Sequence, residues 1–69
     1  MGLCESTVYL KGEEGEAAVM EEVASMRPVP GGWLLVNLFG EKKEIAGEIE
    51  EIDLMAHRIV IRPGPRGKA

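Results

Sequence analysis

Apolar and polar residues alternate along most of this chain with a period of two, the signature of half-buried strands. In Cys4-Glu5-Ser6-Thr7-Val8-Tyr9-Leu10, residues Cys4, Ser6, Val8 and Leu10 share one face and Glu5, Thr7 and Tyr9 the other. Thr, Val and Tyr favour a pleated backbone. Lys11-Gly12-Glu13-Glu14-Gly15-Glu16 follows, and two glycines among charges predict a hairpin loop.

The next stretch fits two patterns. Ala17 to Met26 is rich in helix formers, and Val19, Val23 and Met26 recur at i, i+4 and i+7. The alternative is two short strands, Ala17–Met20 and Val23–Arg27, meeting in a bend at Glu21-Glu22. Helix propensity is a weak prior, and strand patterns flank the segment on both sides, so strands with a bend are the preferred reading over a helix at 17–26.

Pro28-Val29-Pro30-Gly31-Gly32 is the strongest turn signal. It leads into the apolar strand Trp33–Leu38. Phe39 to Lys43 reads as a turn, with Gly40 suited to positive φ. Glu44–Gly47 is a short strand whose final glycine marks a bend or bulge. Glu48–Leu54 alternates except at Glu50-Glu51, where one extra residue forms a bulge and restores the facing. Met55-Ala56-His57 connects it to Arg58–Arg62, in which Ile59 and Ile61 face one way. Pro63 to Ala69 is a Pro/Gly segment that predicts a mobile tail. About six short strands with turns every 8–12 residues predict an all-β fold: one domain over residues 1–62, a small antiparallel barrel or curled sheet of SH3-like size.

Length sharpens this picture. A chain of 69 residues buries about 60% of the surface its unfolded form exposes. Small domains of this kind are stabilised by a disulfide, a metal or a partner chain. One cysteine excludes an internal disulfide, which leaves a metal or self-association. Eight basic residues against twelve acidic ones give a net charge of −4. With one Phe, one Trp and one Tyr, the chain lacks both the basic footprint and the stacking platform of a nucleic-acid binder. No apolar run is long enough for a membrane helix, and the first ten residues do not read as a secretory signal. Together with a lone cysteine, this predicts the reducing cytoplasm.

Few residues carry candidate chemistry. Cys4 offers a soft thiolate suited to nickel, copper or zinc, or else packs as a small hydrophobe. His57 is the only imidazole and falls in a turn. A Cys–His nucleophilic pair needs contact between the two and a third residue orienting the base, which the sequence does not supply, so no enzyme is predicted and no catalytic residue assigned. Met20, Met26 and Met55 read as gap-filling apolar residues. Glu13, Glu14 and Glu16 lack the spacing of a calcium loop. Glu48, Glu50, Glu51 and Asp53 read as the wet face of a strand.

The order of the segments resembles the CooT family of small nickel-binding proteins, a family also described as predicted RNA-binding proteins. The likeness is carried by Cys4 with Ser6-Thr7-Val8-Tyr9-Leu10, Val19-Met20-Glu21-Glu22-Val23-Ala24-Ser25, Leu38-Phe39-Gly40-Glu41, Ile49, Ile52-Asp53-Leu54 and Arg58-Ile59-Val60-Ile61, and so spans residues 4 to 62. The resemblance implies a small β-barrel-like homodimer that binds nickel through the near-terminal cysteine, here Cys4. It further implies an accessory role in nickel supply, for example to carbon monoxide dehydrogenase.

In that family the cysteine directly follows the initiator methionine, whereas here Met1-Gly2-Leu3 precede it. A terminal Cys offers its amine and thiolate to one metal, and two chains then give two nitrogens and two sulfurs, a set suited to square-planar nickel(II). Leu3 read from a TTG start codon as methionine restores that arrangement; with Met1 retained, Cys4 binds through its thiolate and a deprotonated amide. Two other readings stand beside the nickel carrier. One is an RNA-binding module using Lys11, Lys42, Lys43, Arg58, Arg62, Arg66 and Lys68, and the other is a structural or protein-interaction domain.

Overall fold

A computed structural model describes residues 5–64. Five strands follow in order: β1 (Ser6–Gly12), β2 (Gly15–Val29), β3 (Gly32–Asn37), β4 (Lys42–Asp53) and β5 (Arg58–Pro63). Each pairs with the next in antiparallel fashion, and β5 then pairs with β1 to close the barrel. The closing pair is parallel, Thr7–Leu10 against Arg58–Ile61. A meander with an odd number of strands can close no other way, because its first and last strands run in the same direction.

The strand count is five rather than about six because two pairs of predicted pieces are continuous. Ala17–Met20 and Val23–Arg27 are halves of the fifteen-residue β2, and Glu44–Gly47 and Glu48–Leu54, all but its last residue, are halves of the twelve-residue β4. Each long strand serves two neighbours in succession. β2 pairs with β1 up to Val23 and with β3 from Val23 onward. β4 pairs with β3 over Lys42–Ala46 and with β5 over Gly47–Asp53. A strand that changes partner must bend sharply at the changeover.

The bends lie where the sequence signalled them. In β2, Val8 faces Met20 while Ser6 faces Val23, so Glu21 and Glu22 hold an extra residue and Glu22 takes φ 58°. That bulge and a second register shift between Val23 and Ser25 together produce a helix-like spacing. The bulge turns both Met20 and Val23 inward three residues apart, which a regular strand cannot do. In β4 the register slips between Ile49 and Glu51, at the predicted Glu50-Glu51 doubling. Gly47 takes φ 147° where β4 changes partner. A Cβ there would overlap the Arg62 carbonyl oxygen and lie 2.9 Å from Ile61 Cγ2, so only glycine fits.

Val8, Met20, Val23, Leu35 and Ile61 form the barrel interior, with Leu10, Val19, Met26, Trp33, Ile45, Ile49 and Ile59 packed against them. Ser6 and Val8 point inward together, as their shared parity required. Val60 is also buried, on the opposite face of β5, where Tyr9 and Glu51 flank it. Pro63 is the last residue of β5, paired with Gly47, so the sheet runs one residue beyond the predicted boundary. The rest of the predicted tail, from residue 65, lies outside the described residues.

Candidate functional site

One rim of the barrel is built differently from the rest. Ser6 at the start of β1 pairs with Val23, which pairs with Asn37 at the end of β3. On the other side Thr7 pairs with Arg58, which pairs with Asp53 at the end of β4. The lead-in at Glu5, the β3–β4 turn and the β4–β5 loop therefore converge on this rim. Two backbone bonds tie them together: the Leu38 amide donates to the Glu22 carbonyl at 2.9 Å, and the Thr7 amide donates to the His57 carbonyl at 3.0 Å.

Both connections are fixed by a side chain at their first residue. Asn37 is buried, and its Oδ1 accepts the amides of Phe39 at 3.0 Å and Glu41 at 2.9 Å. Its Nδ2 donates to Glu41 Oε1 at 2.7 Å. Gly40 closes the turn at φ 84°, its amide donating to the Asn37 carbonyl. Asp53 Oδ1 accepts the Ala56 amide at 3.1 Å, and the loop ends at His57 with φ 55°. Asn and Asp fold the following backbone onto their own side chains in this way. Neither was singled out from the sequence for this role. An Asn before Gly40 and an Asp before Ala56 were the available signals.

These turns hold large apolar side chains out into solvent. Leu38, Ile52 and Leu54 are exposed, Phe39 is 76% exposed and Met55 91%. All the large, well-exposed hydrophobic side chains among the described residues lie on this rim. The opposite end carries Gly12-Glu13-Glu14-Gly15 and Pro30-Gly31. An open groove of about 670 Å³ runs from the rim between the outer edge of β2 (Ala18–Glu22) and Glu41–Lys43, and the Lys43 ammonium bridges it to the Val19 carbonyl at 3.1 Å.

The remaining candidates divide between core, loop and wall. Met20 is buried and Met26 packs against the interior, whereas Met55 stands at the tip of its loop. His57 is exposed, and its carbonyl lies beside Thr7. Glu13 and Glu14 are exposed in the β1–β2 turn. Glu16, Glu48, Glu50 and Glu51 do face water, but as partners of cations. Arg58 meets Glu16 through two contacts of 2.9 and 3.0 Å, lies 3.8 Å from Glu51 and sits 5.0 Å above the Tyr9 ring. The hydrogen bond to Glu16 raises the Arg58 pKa above its ordinary value, so the guanidinium stays charged. Lys11 pairs with Glu50 at 3.3 Å and Arg62 with Glu48 at 3.1 Å. Of the seven cations that an RNA-binding reading needs, these three already hold carboxylates, and Lys43 holds a carbonyl. Among the described residues there is thus no open basic stripe.

Among the described residues no group of three or more His, Cys, Asp and Glu side chains is placed to hold a metal ion. Cys4 lies outside the described residues, two positions before the first residue of β1.

Comparison with known proteins converges on one family. A family model described as CO dehydrogenase accessory protein CooT matches residues 3–62. An uncharacterized protein of Methanocaldococcus jannaschii is 37% identical over 59 residues, which cover 86% of this chain and 96% of that protein. The crystal structure of a CooT candidate from Carboxydothermus hydrogenoformans superimposes with a TM-score of 0.83 at 31% identity, covering 88% of this chain and 98% of that one.

Proposed function

Because this chain belongs to the CooT family of CO dehydrogenase accessory proteins, we propose that it binds nickel(II) through Cys4 as a homodimer and carries the metal toward a carbon monoxide dehydrogenase in the cytoplasm. The observation that carries this reading is the family match itself, which begins at residue 3 and so takes in Cys4. Nickel is cargo here, and the protein's task is to hold and release it.

The chemistry is consistent with that task. A thiolate suits nickel(II), and backbone or terminal nitrogens beside it complete a square-planar set. Cys4 stands two positions before Ser6, the first residue of β1. Binding across two chains adds folding free energy to a domain that buries only about 60% of its unfolded surface.

The test is titration of the reduced protein with nickel(II), followed by near-ultraviolet absorption, beside Cys4→Ser. The expected result is a set of charge-transfer bands saturating at one nickel per two chains in the parent and absent in the variant, with unchanged far-ultraviolet circular dichroism. Equal binding by both proteins would remove Cys4 from the site. Absence of bands in both, with the chain start at Met1 and at Cys4 alike, would remove nickel.

A further inference from the structure

We infer that the open edge of β2 at Gly15–Ala18, with the groove that continues it, is a docking site for an extended, basic segment of a partner protein, which adds to the sheet as one more strand. The site is separate from Cys4 and does not depend on nickel.

The corners of β2 and β4 leave four half-edges, because among the described residues each half of a long strand pairs on one side only. A row of unpaired amides and carbonyls is a template for another strand, and folded proteins blunt it with proline, charge or a bulge. Three of the four are blunted in this way. Ser25–Val29 of β2 contains Pro28, Lys42–Ala46 of β4 begins with Lys-Lys-Glu, and Glu48–Asp53 carries four carboxylates and a bulge. Gly15–Ala18 is different. It is exposed, keeps regular register with β1, and three of its four residues carry no side chain larger than a methyl group. Its one charge, Glu16, is taken by Arg58 on the outer wall.

Past Ala18 the edge runs into the groove. Val19 is the extra residue between the pairs Tyr9–Ala18 and Val8–Met20, and its carbonyl meets the Lys43 ammonium at 3.1 Å. That ammonium stands where a neighbouring strand would place an amide. β3 would be the neighbour but stops short: the Leu38 amide bonds to the Glu22 carbonyl, and the Asn37 turn then carries the chain away. Lys43 ends a flexible four-carbon stem, so an incoming backbone amide displaces it at small cost. Met20 and Phe39 line the same groove and seat one apolar side chain.

The walls set the charge of the occupant. Glu13 and Glu14 flank the edge at one end and Glu21 and Glu22 at the other, and none of the four pairs with a cation among the described residues. The groove is lined by three carboxylates and two ammonium groups, and the whole chain carries −4. A segment bearing Lys or Arg is drawn in and an acidic one repelled. In this mode of recognition backbone bonds supply affinity and alternate side chains supply specificity.

The experiment titrates the full-length reduced protein into short fluorescein-labelled peptides at low salt and follows anisotropy. One peptide alternates Lys with Val, a second replaces each Val by Pro at the same charge, and a third replaces each Lys by Glu. The Lys/Val peptide is expected to bind. The Lys/Pro peptide, which lacks half the amides, and the Glu/Val peptide should each bind at least about tenfold more weakly. Glu21→Lys should weaken binding of the Lys/Val peptide, and Lys43→Met, which frees the Val19 carbonyl, should strengthen it. Both side chains are exposed, so an unchanged circular dichroism spectrum is expected for each variant. Backbone amide NMR shifts should move at Gly15–Met20 and Lys43. Equal binding of the Lys/Val and Lys/Pro peptides would reduce the contact to charge and overturn the added strand. Tighter binding of the Glu/Val peptide would overturn the basic occupant. Shifts confined to residues outside β2 and the groove, binding unchanged in both variants, or no binding of the Lys/Val peptide would each overturn the site.

Discussion

β2 and β4 face the same problem and solve it with different chemistry. Each begins against one neighbour and ends against another, so each must turn a corner partway along. β2 turns at a bulge where Glu22 adopts a left-handed conformation. β4 turns at Gly47, held so close to β5 that no side chain fits. The two corners look alike as chain tracings but differ in what they require. One needs room for an extra residue and tolerates many side chains. The other needs the absence of a side chain.

Substitution at the tighter corner gives the largest expected effect. Gly47→Ala places a methyl group onto the Arg62 carbonyl and against Ile61, at a φ that L residues avoid. The β4–β5 ladder must open, and the Gly47 amide's bond to the Gly31 carbonyl goes with it. The expected loss is about 3–4 kcal/mol, from overpacking together with backbone strain. Because a domain of this size holds only about 3–10 kcal/mol, the urea midpoint should fall by roughly a third or more. An unchanged midpoint would mean that the corner can relax and that its fit is not what holds β4 to β5.

A smaller effect is expected at the β3–β4 turn. Asn37→Ala removes three side-chain hydrogen bonds and strands the amides of Phe39 and Glu41. Loss of one partner from a buried group costs about 1–3 kcal/mol, and solvent can reach part of this turn, so about 2 kcal/mol is expected from urea unfolding. Hydrogen exchange should quicken at Phe39 and Glu41 and stay slow at Val60 and Ile61, which are buried in the far wall. Uniform quickening would show that the rim and the barrel unfold as one unit, and that the turn is not a separate device for presenting Phe39.

How much of this was legible in the sequence depends on the range of the forces involved. The strand pattern, the Glu21-Glu22 bend and the Glu50-Glu51 bulge could be read because each leaves a local mark, a break in the alternation of period two. The fusion of four predicted pieces into β2 and β4 could not, because continuity through a bulge depends on which neighbour pairs on each side. The helix-like spacing of Val19, Val23 and Met26 left a helix at 17–26 as the rival to the preferred strands, because a bulged strand turns inward at i and i+3, as Met20 and Val23 do, and so does a helix. The parallel closure of β5 on β1 follows from the strand count, so an estimate of about six strands hid it. The family resemblance pointed to Cys4 and to residues 4 to 62, and the family match over 3–62 agrees with it. The apolar rim was not legible at all. Phe39 was placed in a turn and Met55 in the connection before the last strand, but no local pattern shows that these two connections, with Leu38 and Leu54 beside them, gather on one rim.

The smallest effect belongs to the looser corner, and its sign is the point. Glu22 is exposed, its side chain makes no hydrogen bond or ion pair among the described residues, and its carbonyl accepts from Leu38 whatever the side chain. A non-glycine residue in the left-handed region costs about 1–2 kcal/mol, while glycine costs about 0.5–1 kcal/mol in lost freedom on folding. Glu22→Gly should therefore stabilise the fold by about 0.5 kcal/mol, raising the thermal midpoint by roughly 2–4 °C at this chain length. Glu22→Val should lower it, since a β-branched side chain is least at home there. If Glu22→Gly lowers the midpoint instead, the glutamate side chain contributes something to the β2 corner that its exposed position conceals. The two corners would then differ in degree rather than in kind.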